Sequence, residues 1–376
     1  MSKAKVCIIT TVHPPFDTRI FHKQAKTLVE AGYDVTLIAQ HDKSETVEGI
    51  DIIPLPELRN RFTRIFGLSW HAFCIARKQN ADIYHFPDPE LIPVGALLKL
   101  VTRARAIYDV HEDVSKQIQR KGWVPGPLRK PLARIYSFAE TVASRIFDGV
   151  VVATESIAEN FDWNEAVVAH NYPRLEMLPN FPEDRDEQDE ETTTLIYVGG
   201  ITKNRGIKEA ISALSSLDEN KPVRFNLIGK FQNSSFKEDI QALSEYEYVR
   251  FFGWLDPPQV YENFKKADIG IVSLHHLPRY QVALPVKMFE YMASSLPVIA
   301  SDFSLWRDIV EGNDCGIMVD PESPEEIAEA LEYLIDNPQQ AKEMGENGRK
   351  AVEEKYSWDS EGEKLLALYK SLGKDV

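Results

Sequence analysis

The sequence predicts an α/β protein built from two doubly wound parallel sheets and a helical tail, and three observations carry that expectation. Short β-rich runs alternate with amphipathic stretches along most of the 376 residues, the pattern that folds into parallel strands joined by covering helices. A charged run from Glu183 to Glu191, with seven acidic residues, one Arg and no aliphatic residue, interrupts the alternation. The alternation then restarts, so the chain reads as two domains, as its length suggests at roughly 150 residues each.

Seven strands are expected before the interruption: Val6 to Val12, Asp34 to Gln40, Ile50 to Leu55, Ala81 to Phe86, Ala106 to Val110, Gly149 to Ala153 and Ala166 to Ala169. Between the first two, Ile20, Phe21, Ala25, Leu28 and Val29 share one helical face over Arg19 to Ala31, and Gly32 ends the run. Six more follow: Leu195 to Val198, Arg224 to Ile228, Val249 to Phe252, Ile269 to Leu274, Val298 to Ala300 and Ile317 to Val319. Asp256 before Pro257, and Ser323 before Pro324, place a cap residue ahead of a first-turn proline. From Glu325 to Leu372 the sequence is almost wholly helical, with breaks at Asn337-Pro338 and around Tyr356 to Trp358. Residues 1–180 and 193–355 are therefore the expected domains, 181–192 an acidic linker that buries too little surface to fold, and 356–376 a terminal helix expected to pack back towards the first domain. In such sheets, ligands sit beyond the carboxyl ends of the strands.

Composition narrows the partners. The net charge is −15, but residues 1–180 hold 22 basic and 21 acidic side chains, whereas the remainder holds 21 and 37. So acidic a half would repel nucleic acid, which excludes it as a general partner. Cys7, Cys74 and Cys315 are odd in number and widely spaced, matching no disulfide framework or zinc spacing, so a reducing cytoplasm is the expected compartment. The longest apolar stretch, Leu91 to Val101, already contains Lys99 and is too short for the ~20 residues of a membrane span.

Several segments resemble the retaining glycosyltransferases of family 4. The most specific runs from Leu284-Pro-Val-Lys-Met-Phe-Glu290 through Asp302; others are Tyr197-Val-Gly-Gly to Gly206, Val249 to Trp254, and Tyr356-Ser-Trp358. In the first half, His13 to Arg19 and Tyr108 to Asp113 stand where that family has its first loop and its histidine loop. The resemblance implies two Rossmann-like domains with parallel sheets facing across a cleft, the GT-B arrangement. It also implies transfer of a sugar, with retention of configuration, from a nucleotide diphosphate-sugar to a glycan or lipid-linked acceptor. No metal and no further cofactor are expected, and surface polysaccharide assembly is the expected setting.

Each part of such a donor needs a different partner. Glu290, five residues after Pro285 at the start of a helix, can accept from both ribose hydroxyls, the role the resemblance assigns it. The helix start at Leu284, Val286 and Lys287 offers N–H groups and a positive dipole end to a diphosphate, with Lys287 as a local cation. Gly199 and Gly200 form the loop after a strand, and Arg205 keeps the cation expected five residues on. Phe252 and Trp254 are expected at the base, with Trp254 either stacking on it or lying in the core. His111 stands by resemblance near the reacting carbon. Asp17, Thr18, Arg19, Asp109 and Glu112 are acceptor candidates, although Asp17 or Thr18 equally well caps the next helix. Two positions depart from the family pattern: Val282 replaces its first glutamate, and Gly200 its usual arginine. A nucleotide-sugar epimerase and a non-catalytic nucleotide-sugar binder therefore stay open as alternatives. Asp184-Arg-Asp186 spells a metal motif of another glycosyltransferase class but lies in the acidic run. Basic residues interleaved with aromatics over 59–134 form either a face for anionic lipid at the inner membrane surface or ordinary solvated helix.

Overall fold

The computed structural model describes residues 3–56, 67–111, 114–118, 125–161, 166–178, 192–218 and 221–373. The chain divides into two units, Met1–Asn171 with Trp358–Val376, and Tyr172–Ser357. The acidic run, Glu112, Asp113 and the basic residues from Arg59 to Arg64 lie outside the described residues.

The first unit is one eight-stranded sheet: β1 (Lys5–Ile9), β2 (Asp34–Gln40), β3 (Glu45–Val47), β4 (Ile50–Leu55), β5 (Ile83–Phe86), β6 (Arg105–Val110), β7 (Gly149–Val152) and β8 (Val167–Val168). Its order is β3-β4-β2-β1-β5-β6-β7-β8, parallel throughout except for the pairing of β3 with β4. That edge hairpin turns at Glu48 and Gly49, both at positive φ; three residues reading Glu-Thr-Val carry too little periodicity to reveal it. In β1, Cys7 and Ile9 enter the core on one face while Val6 and Ile8 enter the core on the other. This is the two-sided burial that makes parallel strands read as continuous apolar runs. Helices α1 (Ser69–Gln79), α2 (Ile92–Thr102) and α3 (Gly126–Ser144) each lead from one parallel strand to the next. The stretch expected as one helix over Arg19 to Ala31 begins instead as a π-helix, Ile20–Ala25, before a short α-helix, Lys26–Glu30.

The final helix, Trp358–Leu372, belongs to this unit. Trp358 is buried and its Nε1 donates to Thr27 Oγ1 (2.9 Å), and Leu368 covers Gly149.

The second unit is a six-stranded, wholly parallel sheet of β9 (Thr193–Val198), β10 (Val223–Ile228), β11 (Val249–Gly253), β12 (Ile269–Val272), β13 (Val298–Ser301) and β14 (Gly316–Val319). The order is β11-β10-β9-β12-β13-β14, so the winding direction reverses between β9 and β12. Tyr172 and Leu178 are buried in this unit's core, which places its border several residues before the acidic run. The capping expectations hold: Asp256 forms a capping box with Gln259, and Ser323 Oγ accepts from Glu326 N. The long helical stretch breaks into Pro324–Asp336, Pro338–Lys355 and the terminal helix.

Candidate functional site

In the second unit the site forms where the strand order reverses, the position at which open parallel sheets leave a crevice. Gly199 follows β9, its φ of +131° suits glycine, and a Cβ there would stand 2.8 Å from Lys287 Nζ and 3.4 Å from Arg205 Nη1. Two cations, 82 residues apart in sequence, therefore converge on one glycine. The neighbouring strand ends complete the floor: Gly229, after β10, lies so close that a Cβ would meet the Gly199 carbonyl oxygen at 1.8 Å, and its N–H donates to Gly253 O at the end of β11. Across the reversal, Ser273 Oγ, just past β12, donates to Gly206 O (3.2 Å) and pins the start of helix α4 (Ile207–Ala213).

Lys287 stands in the first turn of α5 (Val286–Ala293). Its Nζ lies 3.7 Å from the centre of the Tyr197 ring and is buried without a hydrogen-bond partner. Burial, reinforced by the charge of Arg205 and only partly opposed by Glu290, pushes the Lys287 ammonium well below the usual lysine range. Arg205 Nε is likewise buried and unpartnered, and its guanidinium lies by the phenols of Tyr197 and Tyr280. Burial pushes the Tyr197 phenol up to about 12, with Arg205 pulling the other way, and Tyr197 donates to Gly200 O (2.8 Å). Glu290, one turn beyond Lys287, acts on both Lys287 and the Tyr261 phenol. Buried cationic groups without an acceptor are costly, and an incoming anion relieves that cost. Tyr197, Tyr261 and Tyr280 were not legible as site residues; only the order of strand, glycine pair and cation pointed to this place.

The other donor-side candidates are spread around this core. Leu284 and the ring of Phe252 pack against the apolar core, and Arg250 lies over that ring at 4.8 Å in a hollow shared with Arg224 and Asn226. Trp254 is not a core residue: it is exposed, with Lys230 Nζ 4.8 Å from its ring centre. Val286 begins α5, whose first N–H groups have no intrahelical acceptor. Val282 is exposed and apolar, so it supplies no hydrogen bond at the place of the family's first glutamate.

The first-unit candidates cluster at the ends of β1, β5 and β6. Asp88 is buried and accepts from Thr10 Oγ1 (2.9 Å), Thr11 N (2.5 Å) and Val12 N (3.1 Å), which shapes the loop after β1. Asp17 caps the following helix by accepting from Arg19 N (2.9 Å) and Ile20 N (3.0 Å). Burial would raise the Asp17 carboxyl, but these donors and His13 hold it down to about 2. Thr18 is exposed.

Two further acceptor candidates, Asp109 and Arg19, pair with each other. Both are buried, and Asp109 accepts from the chain's own donors, Arg19 Nη2 (3.0 Å), Gln24 Nε2 (2.5 Å) and His111 Nε2 (2.7 Å), with His85 Nε2 3.5 Å away. Burial acts to raise the Asp109 carboxyl, yet Arg19 and His111 hold it well below the usual range. A strand residue enclosed in this way orients its neighbours, and it holds His111 by one ring nitrogen. His111 stays partly exposed and meets the His13 ring edge-on at 5.5 Å. Burial opposes protonation of His13, but Asp17, Asp88 and Asp109 outweigh it and raise its pKa. Among the described residues, no group of three or more His, Cys, Asp or Glu side chains could hold a metal ion, and no helix is long and apolar enough to cross a membrane.

Comparison with known proteins bears on the family and the fold. Residues 18–180 match the glycosyl transferase 4-like domain, and residues 180–351 match the glycosyl transferases group 1. An uncharacterized glycosyltransferase of Methanocaldococcus jannaschii is 23% identical, the alignment covering 97% of this chain and 98% of that protein. Sucrose-phosphate synthase from Thermosynechococcus elongatus shares the fold with a TM-score of 0.78 at 18% identity, over 98% of this chain and 99% of that one. HepE of Anabaena, solved in complex with UDP-glucose, shares it with a TM-score of 0.73 at 12% identity, over 98% and 99%. With both halves matched in order by glycosyltransferase models and the two-sheet architecture shared along the whole chain, the protein belongs to the family 4-like glycosyltransferases of GT-B fold.

Proposed function

We propose that this enzyme is a retaining glycosyltransferase that takes a sugar from a nucleotide diphosphate-sugar and passes it to a glycan or lipid-linked acceptor. We place it at the cytoplasmic face of the membrane, in surface polysaccharide assembly. The observation that carries the donor reading is the convergence of Lys287 and Arg205 on Gly199, two buried cationic groups with unmet hydrogen-bonding capacity at the reversal of the sheet. A diphosphate fills that need, and the start of α5 adds its dipole end. Glu290 then takes the ribose hydroxyls one turn further on.

The chemistry assigned to these groups is stabilisation of the leaving group. As the bond from the anomeric carbon to phosphate oxygen breaks, its electron pair stays on that oxygen, and Arg205 and Lys287 stabilise the negative charge that builds on the diphosphate. The acceptor oxygen bonds to the same carbon on the same face, and its proton passes to the departing phosphate oxygen. In the first unit, His111, oriented by Asp109, helps place the acceptor hydroxyl. Two protein cations supply the neutralisation, so the reaction is proposed to need no metal.

HepE binding UDP-glucose makes uridine donors the first to test. Incubation with UDP-, GDP-, ADP- and dTDP-sugars in EDTA is expected to release one nucleoside diphosphate, slowly to water and faster when a suitable acceptor becomes glycosylated. Conversion of the donor sugar without any acceptor would instead identify an isomerase, and binding without release would identify a binder.

A further inference from the structure

Helix α3 is built the wrong way round for a solvated surface helix. Its buried line consists of small residues, Ala133 and Ser144, while Leu128, Leu132, Ile135, Phe138 and Val142 fall on the opposite face. Spacings of four, three, three and four residues put these five within one stripe. Phe138 is 72% exposed and Ile135 65%. The neighbouring helix α2 extends the surface: its end is tied beside the end of α3 by Lys99 Nζ on Asp148 (2.7 Å), and Leu100 next to it is 78% exposed. Apolar surface so concentrated marks a contact with something other than water.

Charge identifies the partner. Lys130 and Arg134 are exposed on α3. Segment 125–148 contains two carboxylates, and both are engaged by the protein itself: Glu140 accepts from the phenols of Tyr108 (2.7 Å) and Tyr136 (2.9 Å), and Asp148 pairs with Lys99 and Arg105. What faces outward is thus apolar and cationic, in a protein whose net charge is −15.

We propose that this face of α3, with the end of α2, lies on an anionic lipid bilayer, the apolar stripe entering the headgroup boundary and the cations meeting lipid phosphates. This names the surface behind the membrane placement proposed above, on which it rests, and it does not depend on the assignment of the donor site. It implies that the first unit works at a membrane surface, where a lipid-linked acceptor would be presented.

Flotation of the full-length protein with vesicles tests this. Binding is expected to equimolar phosphatidylglycerol and phosphatidylcholine but not to phosphatidylcholine alone, and to fall as salt is raised. Ile135→Ser combined with Phe138→Ser should weaken partitioning about tenfold or more, and Arg134→Glu, which removes no apolar group, by about tenfold. Both should leave the thermal melt and nucleoside diphosphate binding unchanged. Absence of vesicle binding by the wild type, equal binding to neutral vesicles, or unimpaired binding by both variants would overturn the proposal. So would a dimer in solution that the double substitution dissociates, because the stripe would then be a contact between two copies.

Discussion

Replacing Arg205 with Ala is expected to lower kcat/KM by about 10²- to 10³-fold, the effect typical of removing one charged donor from a developing anion. The loss should fall mainly on kcat. Arg205 is one of the two influences that hold the Lys287 ammonium below its usual range, the larger being burial. Without Arg205, Lys287 is more fully protonated and compensates part of the ground-state attraction for the diphosphate. Turnover does not recover in the same way, because the transition state spreads charge over more oxygens than one ammonium can reach. Arg205→Lys should restore only part of the rate, since the planar guanidinium, set beside Tyr197 and Tyr280, presents a fork that an ammonium cannot copy. Steady-state kinetics combined with direct nucleotide titration checks the split: an unchanged kcat, or a loss confined to KM, removes Arg205 from the leaving-group role.

Asp109→Asn is expected to destabilise the first unit by about 3–5 kcal/mol, the cost of leaving a buried charge without its partner. The stranded charge is Arg19, 4% exposed, which retains Ala169 O as an acceptor at 2.7 Å but loses its counter-ion. Joint replacement, Asp109→Leu with Arg19→Met, should recover much of the loss, because an apolar pair of similar volume carries no desolvation penalty. The pH dependence has a definite sign. The folded-state carboxyl lies below its unfolded value, so its contribution is present above the ordinary carboxylate range and disappears as pH falls through the depressed folded-state value. Urea unfolding of the wild type and the Asn variant should therefore differ at neutral pH and converge in strong acid. Equal stability at neutral pH would show that Arg19 needs no counter-charge.

Much of the fold was legible because both sheets are covered on both faces. Strands such as Val6 to Ile9 and Val298 to Ala300 then appear as unbroken apolar runs, and caps such as Ser323-Pro324 announce helix starts locally. The features that were not legible depend on distant partners. Asp109 in a strand looks like the rim of a site until Arg19, 90 positions away, is seen to enclose it. Nothing in the spelling of Tyr197 says that Lys287 will lie on its ring. Tyr172 reads as the end of the first domain, yet it is the packing of its ring against Phe289 and Tyr356 that assigns it to the second. On the donor side, Gly199, Arg205, Lys287 and Glu290 were named from short local patterns, and the fold adds the convergence of the first three.

Calorimetric titration of the wild type with UDP, GDP, ADP and dTDP, repeated on Lys287→Met and Glu290→Ala, tests most directly whether this convergence is a diphosphate site. One nucleotide should bind the wild type with uptake of protons, because the anion restores the proton that burial disfavours on Lys287, and affinity should fall as pH rises. Lys287→Met should weaken binding about 10- to 100-fold and abolish the proton uptake, while Glu290→Ala should weaken it about tenfold and leave the uptake in place. Unaltered affinity in both variants, or binding by the wild type with no proton uptake and no response to pH, would contradict the assignment.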